Sequence, residues 1–67
     1  MKATELGVKR KNSDLTQEAL KDHLEISLGT VIDIERGRIG IDDETYERID
    51  GAIDDLSAAK KQVQAVA

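Results

Sequence analysis

His23 is the only histidine in the chain and no cysteine accompanies it, so the usual nitrogen and sulfur ligands of a transition metal are missing. It reads as a surface or partly packed side chain. Carboxylates are more numerous: Asp42, Asp43, Glu44, Glu47, Asp50, Asp54 and Asp55 crowd one stretch, a density that could hold a cation or do acid–base work. They lack the alternating ligands and central glycine of a calcium loop, and no nucleophile or base stands among them. Asp42, Asp43 and Glu44 fit a helix start, where the macrodipole favours negative charge, and the others fit a solvated helix face. The residues therefore support no enzyme, no metal site and no cofactor. The remaining candidates for chemistry are basic: Lys9, Arg10 and Lys11, then Arg36 and Arg38.

Sixty-seven residues make one small domain, which removes only about 60% of its unfolded surface from water and so needs a compact core. Without cysteine neither a disulfide framework nor a thiolate site is available, which suits a reducing compartment. The start, MKATELGVKRKNSDL, has no apolar signal-peptide region, and no run approaches the roughly 18 apolar residues that span a bilayer. The expectation is a cytoplasmic protein without a membrane partner. Tyr46 is the sole aromatic residue, which removes the stacking platforms of single-strand and RNA binders. The net charge of −4 is uneven: residues 1–38 hold seven basic and seven acidic groups, residues 39–67 three and seven. That balance argues against a generic polyanion binder.

Apolar residues recur at helical spacing, as Leu20 and Leu24, Val31 and Ile34, and Ile49, Ile53 and Leu56, and no stretch alternates long enough for a strand. Proline is absent, so polar residues and glycines mark the breaks. A first helix is expected from after Thr4 to about Lys11, with Gly7 costing roughly 1 kcal/mol relative to Ala. Thr16 caps a second helix over 17–24, and Ser27 a third that ends at Gly37. Asp42 caps a fourth, with Ile41 and Tyr46 placed to pack as a hydrophobic staple. Beyond Leu56 the chain either bends into a short fifth helix from Ser57 or extends the fourth. The expected architecture is all-α, a compact bundle of four to five helices, with a domain over 1–56 and a helical extension or tail over 57–67.

The run LTQEALKDHLEISLGTVIDIERGR, residues 15–38, followed by IDDETYERIDGAI, resembles the helix-turn-helix of the phage Cro and repressor type, the XRE family, over about residues 5–56. The resemblance implies a lambda-repressor-like fold and binding to double-stranded operator DNA, with the third helix in the major groove. Carried over, Gln17, Arg36 and Arg38 would meet phosphates, Lys9 and Lys11 would add to them, and Leu28, Gly29, Thr30 and Asp33 would face the bases, with Ile32 nearby. Arg10 and Glu35 match a pair that in the family bridges the first and third helices; an open phosphate contact is the other reading of Arg10.

This sequence departs from the family in that base-facing set. No Arg, Gln or Asn is present to pair with guanine or adenine; Leu28 could touch a thymine methyl and Asp33 could accept from cytosine. Lys21 and Glu25 stand where the family prefers a small residue and Gly, so Lys21 must snorkel and Glu25 carries a backbone cost. The expected function is a non-enzymatic, sequence-specific regulator of transcription, repressor- or Cro-like and of phage or bacterial type. A homodimer is a possible form, with Val63 and Val66 extending the apolar stripe of Ile49, Ile53 and Leu56. The alternative is a protein–protein interaction module, antirepressor- or antitoxin-like, that binds its partner through exposed Leu28 and Ile32.

Overall fold

The computed structural model describes the backbone of residues 3–66 and the side chains of residues 3–60. Among them are four helices, α1 (Thr4–Asn12), α2 (Gln17–Leu24), α3 (Leu28–Glu35) and α4 (Asp43–Val66), and no strand. Three of the helices begin on a side-chain cap that satisfies an otherwise unpaired N–H. Thr16 Oγ1 accepts from Ala19 N at 3.0 Å, Ser27 Oγ from Thr30 N at 3.1 Å, and Asp42 Oδ1 from Thr45 N at 2.8 Å. Hydrogen bonds from Thr45, side chain first and then backbone, hold the Asp42 carboxyl below its usual range.

The three short helices end alike, each in a residue of left-handed conformation that closes a paired set of terminal hydrogen bonds. Asp14 (φ 57°) is followed by Leu15, whose N–H reaches back to Arg10 O; Glu25 (φ 58°) by Ile26, whose N–H reaches Lys21 O; Gly37 (φ 73°) by Arg38, whose N–H reaches Asp33 O. The inner bonds of the same turns run from Asp14 to Lys11, Glu25 to Asp22 and Gly37 to Ile34. Only Gly37 adopts this region without a Cβ penalty, so Glu25 carries the cost foreseen for it. Lys21 keeps its ammonium at the surface, 2.8 Å from Asp22 Oδ1.

Past Leu56 the fourth helix simply continues, Ser57 included, to Val66. Lys60 Nζ donates to Asp14 O at 2.9 Å and so ties this continuation to the α1–α2 turn. The side chains of Val63 and Val66 lie outside the described residues. Leu6, Leu20, Val31, Ile34, Ile49, Ala52 and Ile53 form the buried core, one or more from each helix, with Leu24, Ile41, Tyr46 and Leu56 half-buried around it. Each large aliphatic side chain contributes about 1.5–3 kcal/mol on burial. Both α1 and α2 pack against α3 and α4, so α3 is held from two sides.

Candidate nucleic-acid interface

The inner side of α3 is fixed by more than apolar contact. Glu35 accepts from Arg10 Nε at 2.8 Å and Arg10 Nη2 at 3.0 Å, a two-pronged ion pair, and from Gln17 Nε2 at 3.1 Å. Arg10 Nη1 also donates to Leu15 O at 2.7 Å. Both charged side chains are more than nine-tenths buried. Burial pushes the Glu35 carboxyl up, but the hydrogen bonds from Arg10 and Gln17 and the charges of Arg10 and Lys11 outweigh it, and the group ends below its usual range. Gly7 makes the contact possible, because a Cβ there would lie 3.2–3.3 Å from Glu35 side-chain atoms. One cluster thus locks α1, the start of α2 and the end of α3 together.

With Val31 and Ile34 turned into the core, the opposite side of α3 carries Gly29, Ile32, Asp33 and Arg36, at the spacing of one helix face. Gly29 and Arg36 are exposed and Leu28, Ile32 and Asp33 half-exposed. A short helix, a tight turn at Glu25–Ser27 and a second short helix with a free outer face make up a helix-turn-helix. The helix-turn-helix family matches the chain over residues 6–59. This protein belongs to that family. Its shape is the Cro- and repressor-type one, in a family of DNA-binding regulatory domains that are generally non-enzymatic. No curated protein and no solved structure matches the chain.

Within this helix-turn-helix the residues singled out in the sequence are not equivalent. Arg36 and Arg38 are exposed at the end of α3, and Lys11 is exposed near the end of α1. Gln17 is half-buried, with its amide spent in part on Glu35. Lys9 is turned toward α4, where it binds Asp50 Oδ1 at 2.6 Å and Asp54 Oδ1 at 2.9 Å. Those carboxylates, Asp50 before Asp54, raise its ammonium above the ordinary lysine range. For a phosphate it would first have to leave these two partners. Thr30 differs too: its Oγ1 lies 2.7 Å from Ser27 Oγ, and it lines the groove between α3 and α4 with Thr45 and Arg48 rather than standing at the centre of the outer face.

Arg48 escaped the sequence reading. It is exposed beside that groove, a cation in an otherwise acidic stretch, and its isolation among carboxylates is the signal that could have marked it. Asp33 stands 3.7 Å from Arg38 Nη1, a pairing brought about by the turn at Gly37. His23 is exposed, 4.0 Å from Asp55. Among the described residues no group of His, Asp and Glu is placed to hold a metal ion, and no helix is long and apolar enough to cross a membrane.

Proposed function

We propose that the protein is a sequence-specific DNA-binding regulator of transcription, repressor- or Cro-like, of phage or bacterial type and cytoplasmic, which lays α3 in the major groove of operator DNA. The observation that carries this reading is the division of α3: a rigidly held inner side and an open outer side with Arg36 and Arg38 exposed at its end. Arg36, Arg38 and Lys11, with Gln17, would hold the phosphates and so set register; Leu28, Gly29 and Asp33, with Thr30 at the edge, would meet the bases. Bound across a promoter, the domain acts by occluding or recruiting polymerase. Two copies on half-sites one helical turn apart would supply the affinity that so small a face lacks.

Fluorescence anisotropy on duplex from the DNA flanking the gene, with a scrambled control, tests this at about 50 and 200 mM salt. Three phosphate-bound cations per copy predict a roughly 40-fold loss of affinity between those salts. Replacing Arg38 by Ala should weaken all sequences alike and lower the salt slope by about 0.9. A second reading rests on half-exposed Leu28 and Ile32, an apolar pair on the same outer side: the scaffold would then serve a protein partner. A folded protein that ignores duplex at low salt would favour it, and a pull-down would follow.

A further inference from the structure

The outer face of α3 contains one centrally placed side chain with free hydrogen-bonding capacity. Gly29 has none to offer, Leu28 and Ile32 are apolar, and Thr30, whose hydroxyl is bonded to Ser27 at 2.7 Å, lines the groove beside Thr45 and Arg48 and so stands off the centre of this face. Arg36 stands at the far end. That leaves Asp33, whose side chain is 42% exposed. Its contact with Arg38 Nη1, at 3.7 Å, is close enough for charge but too long for a hydrogen bond. Both carboxylate oxygens therefore remain available as acceptors.

We propose that Asp33 is the specificity-determining residue of this interface and that it selects a cytosine. The inference rests on the DNA-binding reading and specifies what that reading leaves open. A carboxylate can only accept hydrogen bonds. In the major groove guanine presents two acceptors and thymine an acceptor beside its methyl group, so both repel it. Adenine offers the N6 donor, but next to the N7 acceptor. Cytosine offers the N4 donor without an adjoining acceptor on the same base. Asp33 thus ranks cytosine first, adenine second, and disfavours the others, chiefly through the cost of leaving a desolvated carboxylate opposite an acceptor. Around it the face is suited to the same strand: no atom lies within 4 Å of where a Gly29 Cβ would sit, so the backbone can approach closely, and Leu28 and Ile32 offer apolar surface to pyrimidine C5 positions such as a thymine methyl.

Selection from a randomised duplex library, run in parallel with the wild-type protein and with Asp33→Asn, tests the assignment. The wild type should enrich a motif with one position fixed as cytosine, preferred about tenfold over the other bases. Asp33→Asn should move that position to adenine, because a carboxamide presents the donor and acceptor that match adenine N7 and N6, and leave the remaining positions alone. Asp33→Ala, compatible with a helix, should lose the preference there and keep the others. A wild-type motif that all three proteins share would overturn the assignment to Asp33 and leave DNA binding intact. Absence of enrichment, together with absence of salt-sensitive duplex binding by the folded wild type, would overturn both.

Discussion

The two sides of α3 are built on opposite terms. On the inner side Glu35 is buried, charged and bonded to Arg10 and Gln17 from two other helices, and among the described residues no buried side-chain polar atom lacks a partner. On the outer side Asp33 has only a 3.7 Å charge contact and Gly29 has empty space. Two carboxylates two residues apart on one short helix therefore do different work: one fixes where the helix lies, the other is free for what the helix meets. If that division holds, changes on the inner side should act on stability and changes on the outer side on recognition.

The largest effect is expected at the buried pair. Glu35→Ala leaves the Arg10 guanidinium without its anion and should cost about 3–5 kcal/mol, against a total of roughly 3–10 kcal/mol for a domain of this length. Circular dichroism in urea should find the variant largely unfolded, and a loss under about 1 kcal/mol would mean the pair is not what holds α3. Replacing Arg10 and Glu35 together by Met and Leu should be milder than either single loss, since no charge is then stranded.

Acid should act on the same pair. The folded-state pKa of Glu35 lies below its ordinary value, so its contribution is complete above about pH 4.3 and is lost as pH falls through the lower folded value. The cap carboxylate Asp42 is lowered too and works in the same direction. Urea midpoints should therefore fall between about pH 5 and pH 3, and Glu35→Gln, if it folds, should flatten that dependence. An unchanged midpoint across the range would contradict the buried network.

How far the sequence revealed this arrangement depends on the range of each interaction. The caps at Thr16, Ser27 and Asp42 act across three residues, and their partners are visible in the neighbouring letters. Glu25 stands where the resembling family prefers Gly, which implies a backbone cost, and its φ of 58° shows that cost. Long-range matters were hidden. Nothing near Lys9 suggests Asp50 and Asp54, which come within reach only because α1 packs on α4. Leu6 is buried while Val8, two residues on, is exposed, and Ala52 is small, so local pattern did not announce the place of Leu6 or Ala52 in the core. At the interface the residue types were legible while their availability was not: Ser27 occupies Thr30, Glu35 occupies Gln17, and the turn at Gly37 brings Arg38 to Asp33.

Gly7 in α1 and Gly29 in α3 give the smallest effects and the finest comparison. Gly7→Ala gains about 1 kcal/mol of helix propensity, but its new methyl would press at 3.2–3.3 Å on Glu35 atoms. Arg10 and Gln17 hold that side chain and keep it from giving way, so a net loss of about 1 kcal/mol is expected. At Gly29 nothing lies within 4 Å of the added carbon, and Ala should stabilise the domain by about 0.5 kcal/mol. The same change should weaken duplex binding, because it places a methyl where the helix backbone would come closest to the bases. Packing gives Gly29 no reason to be glycine, whereas a groove-facing position does. Thermal midpoints and anisotropy on the two variants separate the roles: Gly7→Ala should lower stability and spare the affinity of the folded fraction, and Gly29→Ala should do the reverse. If Gly29→Ala raises stability and leaves duplex affinity unchanged, the outer face of α3 is not the surface that meets DNA.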